Sequence, residues 1–300
     1  MRITNNILVN NLRNNLSRNI RTLEQIQHQL ETGRKINKPS DNPTGMVESL
    51  RYASRLRENA QFQENVQDAL GWLNTTDDAL GSLNTALQRI YELTLEAASG
   101  TMDASERLIN NAEVEQLLIE MESIANMSHG DHYIFGGTNT TEAPYANGTW
   151  QANDRAIRFE VGAGVEITVN LTAREVFRYP GEGDGAGSGP GIMETVQEIV
   201  THLRENNGQA LGQEDVAQLL VMIDHVLACR AQVGASVNRL EMTETRLKEQ
   251  EISFAKLQAD VDGVDTAWAI MELKEQEGIY RASLAVGARV IMPTLVDFIR

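Results

Sequence analysis

The stretch His129-Gly130-Asp131-His132 sets two imidazoles and a carboxylate within four residues, a donor set that could hold a divalent metal. Its spacing fits no common zinc pattern, and no third ligand of suitable type lies near it in sequence, so it reads as a polar turn. Gly181, Gly183, Gly185, Gly187, Gly189 and Gly191 lie between a strand-like segment and a helix, where phosphate-binding loops lie. No Lys-Ser or Lys-Thr follows, and the glycines run on past any tight turn, which describes a flexible linker. Cys229, the single cysteine, has His225 four residues before it and Asp224 beside that, the residue types of an activated thiol. On a helix that carries an apolar seam this spacing sends the pair to the core and its edge, so Cys229 reads as a small buried side chain. No carboxylate pair stands out among the 42 acidic residues. No catalytic, cofactor-binding or metal-binding group is expected, and the chain does not read as an enzyme.

The 300 residues carry a net charge of -16, which opposes general binding to nucleic acid, whose phosphates are held mainly by Lys and Arg. Residues 1–60 differ, with ten basic and five acidic residues, and the remaining residues carry a net -21. The basic residues of this first segment are interleaved with amides and lack stacking aromatics, so a partner helix is expected there rather than DNA or a membrane surface. No uninterrupted apolar run reaches ~18 residues, and Asn5, Asn6, Asn10, Asn11, Asn14 and Asn15 dilute the start. Neither a membrane span nor a cleaved signal peptide is expected.

The elements follow from periodicity. Val9, Leu12, Leu16, Leu23, Ile26 and Leu30 alternate by threes and fours with Asn19 in the missing place, the pattern of a coiled-coil seam whose Asn fixes register. A helix ending near Thr32-Gly33 is followed by the turn Asn37-Lys38-Pro39-Ser40-Asp41-Asn42-Pro43, in which Asn42 can cap a second helix that starts on Pro43. That helix runs from about 44 to 99, with a seam of Ala69, Leu73, Thr76, Leu80, Leu83, Leu87, Ile90, Thr94 and Ala97. A third helix covers about 105–127. Alternation at Ile157, Phe159, Val161 and at Val165, Ile167, Val169 predicts a hairpin, with 133–135 and 149–151 as further strands. From Gln213 to about Arg289 the pattern is helical, broken mildly by Gly234, Gly263 and Gly278. Leu240, Leu247, Phe254, Val261 and Trp268 recur every seventh residue, accompanied by Thr243, Gln250, Leu257, Val264 and Met271. After Pro293 an apolar tail remains. The fold class is therefore mainly α: long antiparallel coiled-coil helices from both chain ends with a small β-rich insertion in the middle. Residues 1–42 and 262–300 form a terminal coiled-coil domain, 43–128 and 192–261 a helical rod, and 129–191 an outer insertion with its Gly-rich linker. Ends this poor in apolar surface are expected to lack structure in a free monomer and to fold on assembly. The expected assembly residues are Leu12, Leu16, Asn19, Leu23, Ile26, Leu30, Leu247, Phe254, Val261, Trp268, Tyr280, Leu284, Leu295 and Phe298.

Thr32-Gly33-Arg34-Lys35-Ile36-Asn37, followed by Pro39-Ser40-Asp41-Asn42-Pro43-Thr44-Gly45, resembles the N-terminal signature of the flagellin superfamily. Tyr280-Arg281-Ala282-Ser283-Leu284-Ala285 and the apolar end from Leu295 to Arg300 resemble its C-terminal motif. Tyr133-Ile134-Phe135-Gly136-Gly137-Thr138 with Pro144-Tyr145 resembles the hook–filament junction branch, where the second glycine is expected to loosen the segment. The resemblance implies a structural role, export through the flagellar type III apparatus without a cleaved signal, and an extracellular place in a helical ring of copies. The implied partners are hook-associated protein one, flagellin and a cytoplasmic export chaperone at the C-terminal segment, with no cofactor. A short filament flagellin shares the fold, and a cytoplasmic coiled-coil signalling adaptor would share the heptads.

Overall fold

A computed structural model describes residues 5–99, 102–146, 148–177 and 191–291. Its helices are α1 (Asn5–Thr32), α2 (Pro43–Ala98), α3 (Ala104–Ala125), α4 (Ala173–Phe177), α5 (Ile192–Arg204), the short α6 (Gly208–Ala210), α7 (Val216–Asp262) and α8 (Thr266–Ile291). A π-turn at Leu211–Asp215 joins α6 to α7. The chain separates into two compact units, residues 1–58 with 250–300, and residues 59–249.

In the first unit α1 and α8 run antiparallel. The seam positions Val9, Leu12, Leu16, Asn19, Leu23, Ile26 and Leu30 are among the less exposed residues of α1, together with Thr22 and Gln29. Asn19 Nδ2 donates to Ser283 Oγ at 3.3 Å, so the one polar seam residue is matched by a polar residue opposite. Expected to lack structure alone, the two ends are each other's partner in this structure. Leu12 packs so closely on Gly287 that a Cβ there would lie 2.7 Å from Leu12 Cδ2. At the end of α1, Gly33 turns the chain with φ of 69°. Asp41 then collects the amides of Asn37 and Lys38 at 3.2 and 2.9 Å, and Asn42 Oδ1 caps α2 through the amide of Gly45 at 3.1 Å.

The C-terminal helical pattern is not one helix. Helix α7 stops at Asp262, and α8 starts at Thr266. Asp262 is buried, its carboxylate accepting from Ser49 Oγ at 2.6 Å and lying 3.7 Å from Arg34 Nε, while its carbonyl accepts from the amide of Lys35 at 2.7 Å. Asp265 Oδ1 accepts from the amides of Ala267 and Trp268 at 3.0 and 3.1 Å, which starts a fresh helix. A Cβ on Gly263 would overlap the carbonyl of Ala259. This break shifts the phase of the heptads. The face of α8 turned to α1 is Ala269, Leu273, Gln276, Tyr280, Ser283 and Gly287, not the series continued through Trp268 and Met271.

In the second unit the seam of α2 is buried at every position from Ala69 to Ala97. It packs with Val114, Met121 and Ile124 of α3, Val196, Ile199 and Leu203 of α5, and Leu219, Val226, Val233, Leu240 and Leu247 of α7 in one core. By composition the stretch Gly208–Asp262 contains a window apolar enough to cross a membrane. Its apolar residues Leu219, Met222, Val226 and Val233 are directed into that core.

Residues 126–177 hold three separate two-stranded antiparallel ladders rather than one sheet: β1 (Ser128–His129) with β2 (His132–Tyr133), β3 (Tyr145–Ala146) with β4 (Thr149–Trp150), and β5 (Arg158–Gly162) with β6 (Val165–Thr168). The expected strand at 133–135 shrinks because Ile134 and Phe135 leave the ladder for the core. Phe135 meets Phe177 edge-on at 5.4 Å, Phe177 meets Trp150 at 4.9 Å, and Trp150 meets Tyr145 at 4.8 Å. The paired glycines do not loosen this segment. Gly137 has φ of 66°, and a Cβ on Gly136 or Gly137 would overlap the carbonyl of Asn139 or Asn153.

Because α8 meets α1 largely through small or polar residues, Leu16→Ala should cost clearly less than the roughly 2 to 5 kcal/mol expected for the fully buried Leu83→Ala. Urea unfolding of the two variants, with hydrogen exchange resolving each helix, checks this; equal losses would contradict it.

Candidate assembly surface

Helix α8 turns a face of small, polar and a few apolar residues to α1 and carries exposed apolar residues on another side. That side carries Trp268, 56% exposed, Met271, 64% exposed, and Val286, spaced to follow one side of the helix. A groove of about 430 Å³ lies beside Trp268, lined by Thr22, Gln25, Ile26 and Gln29 of α1 and by Val264 and Glu272. Single exposed apolar residues are ordinary on protein surfaces, and an aligned set of them makes this side of α8 the candidate contact surface.

The expected assembly residues divide by position. Leu12, Leu16, Asn19, Leu23 and Leu30 are half-buried and Ile26 is buried, all on the α1 face turned to α8. Tyr280 is half-buried on the matching face, while Leu284 is exposed. Phe254 and Val261 are half-buried on the final turns of α7. Leu247 is 2% exposed inside the core of residues 59–249, so its side chain is already occupied by its own chain. Leu295 and Phe298 lie outside the described residues.

Periodicity alone missed the Asp262 node and the paired face of α8. The second did leave a signal, because Ala269, Gln276, Ser283 and Leu273, Tyr280, Gly287 are both strict sevens. Their small and polar side chains hid it. The third helix is as expected but its faces are not: α3 buries Arg107, Asn110 and Asn111 and exposes Leu108, Ile109 and Ile119. Arg107 Nε donates to the carbonyl of Ala97 at 2.8 Å and its guanidinium also reaches Asn206, so it serves a carbonyl at the end of α2.

The residues with chemical potential are engaged elsewhere. His129 Nδ1 pairs with Thr75 Oγ1 at 2.8 Å and His132 Nδ1 with Thr140 Oγ1 at 3.0 Å, so the two imidazoles serve different neighbours across a turn at Gly130. His225 Nε2 donates to the carbonyl of Glu175 at 2.7 Å, although Cys229 Sγ lies 3.7 Å from it. That nitrogen is therefore not a base for the thiol. Burial and then the carboxylate of Glu175 push the Cys229 thiol up to about 11. The glycine run lies outside the described residues except Gly191, which precedes α5.

At pH 8 a thiol so raised is only roughly one part in a thousand thiolate, so Cys229 should react far more slowly with a disulfide reagent in the native protein than in urea. Equal rates would contradict the buried placement.

The N-terminal helical region of bacterial flagellin matches residues 3–140, and the C-terminal helical region of bacterial flagellin matches residues 219–296. The chain is 27% identical to a flagellin of Bacillus subtilis over 299 residues, 96% of each chain. It is 21% identical to flagellar hook-associated protein 3 of Escherichia coli over 272 residues, covering 85% of this chain and 86% of that one. Its fold resembles a solved structure of a putative flagellar hook-associated protein from Vibrio parahaemolyticus with a TM-score of 0.67 and 21% identity, covering 74% of this chain and all of the other. With the N-terminal and C-terminal helical regions of the same family matched in order, this chain belongs to the flagellin family of structural proteins.

Proposed function

We propose that the chain is the adaptor at the junction between flagellar hook and filament, the layer on which the flagellin filament is built. The observation that carries this reading is the exposed apolar side of α8 at Trp268, Met271 and Val286, on a helix already paired with the opposite chain end. Such a face calls for a neighbouring subunit. The likeness to hook-associated protein 3 and the small insertion support the junction in particular.

In this reading residues 1–42 and 262–300 form the inner layer of a helical ring, 43–128 and 192–261 the rod around it, and 129–191 the outer surface. The assembly contacts are the exposed and half-buried residues Phe254, Val261, Trp268 and Leu284, extended by Leu295 and Phe298. The ring meets hook-associated protein one below and flagellin above. A cytoplasmic chaperone holds the C-terminal segment before type III export, which removes no signal peptide. The 27% identity to a flagellin over nearly the whole chain favours a second reading, a short filament subunit. Purified protein that grew long filaments alone would select that second reading, whereas the adaptor does not.

The test is Trp268→Ala. With the indole 56% exposed, the substitution should leave monomer melting nearly unchanged. Cells carrying it should secrete flagellin into the medium and lack filaments. A variant that melts several degrees earlier yet builds normal filaments would overturn the role given to this face.

A further inference from the structure

Charge is segregated along the α1–α8 pair. Its half nearest the chain termini, residues 5–21 and 278–291, holds Arg13, Arg18, Arg21, Arg281 and Arg289 and no carboxylate. Its other half, residues 22–32 and 266–277, holds Glu24, Glu31, Glu272, Glu275 and Glu277 against the single Lys274. All five arginines are exposed, and none forms an ion pair among the described residues. Lys274 pairs with Glu277 at 3.5 Å, which leaves Glu24, Glu31, Glu272 and Glu275 without a cation among the described residues.

This arrangement gives the monomer nothing. The antiparallel pairing sets arginines of α1 beside arginines of α8, as the contacts Leu12–Gly287 and Asn19–Ser283 fix the register. A neighbour in the same orientation and at the same height would also place arginine against arginine. A neighbour shifted along the axis would place arginine against glutamate. On α1 the two charge groups are about ten residues apart and on α8 about eleven, so both helices call for the same shift of roughly 15 Å. The apolar surface agrees. Ile20 is exposed among the α1 arginines, and Trp268 and Met271 are exposed beside Glu272 and Glu275.

Resting on the assembly reading above, we infer that the occupant of the exposed α8 face is α1 of a second copy of this chain, the two copies in the same orientation and displaced by roughly 15 Å along the helices, with arginines on glutamates setting the stagger. The attraction acts over about a Debye length, ~8 Å at physiological salt, so it selects register at contact rather than from afar.

The test uses full-length protein in cells deleted for the native chain. One variant carries Arg18→Glu and Arg21→Glu, the other Glu272→Arg and Glu275→Arg. Each alone should reduce filament-bearing cells at least about tenfold, while purified monomers keep their melting temperatures. Expressed together they should restore filaments, since each then finds its complement in the other copy and not in itself. In the restored flagella, cysteines placed at position 18 of one variant and 275 of the other should cross-link into dimers. Single variants that build normally would overturn the inference, as would a mixture no better than its components. If deletion of the chain itself left filaments unaffected, the adaptor reading would fall and this inference with it; a deletion phenotype without rescue by the mixture overturns the stagger alone.

Discussion

Of the apolar residues described in α1 and α8, only Ile26 and Ala269 are buried, and this scarcity governs the architecture of the terminal unit. The seam of α1 supplies leucines, but α8 answers with Ala269, Gln276, Ser283 and Gly287. Small residues bring the helix axes close without enclosing much apolar area, so the stabilisation per turn is well below that of a leucine zipper. Two helices of 28 and 26 residues, paired this thinly, retain apolar side chains in solvent on their outer faces. The same constraint leaves the terminal unit with far less enclosed apolar surface than residues 59–249 have.

Residues 59–249 are built on the opposite principle. Here α2 presents Leu80, Leu83, Leu87 and Ile90 with no exposure, and three other helices and the ladder region close over them. The insertion gains rigidity from an aromatic chain through Tyr145, Trp150, Phe177 and Phe135 rather than from an extended sheet. In the proposed assembly, a chain with one well-packed unit and one thinly packed unit is stable before it assembles and still has apolar surface to offer.

The thinly packed unit still needs a defined internal geometry, and the node at Asp262 supplies part of it. Ser49, Arg34 and the amide of Lys35 converge on this one buried residue, tying the turn after α1 to the end of α7. A buried carboxylate is costly unless it is met, and here Oδ2 accepts from Ser49 Oγ and lies 3.7 Å from Arg34 Nε.

Much of this was legible in the residues. The seams of α1 and α2, the cap at Asn42-Pro43, the β5–β6 hairpin and the helical class follow from spacing and local chemistry, because each depends on neighbours within a turn or a hairpin. The flagellin resemblance rested on turns whose residues are required by their own backbone. What the sequence alone could not decide was where the C-terminal heptads stop. Leu240, Leu247, Phe254, Val261 and Trp268 keep perfect time across Gly263, yet Leu247 is in the core and Trp268 is in solvent. The interruption comes from Ser49 and Arg34, more than two hundred residues away, competing for Asp262. Periodicity records only what a helix would bury if it continued; whether it continues is set by long-range contacts, which only the tertiary structure brings together.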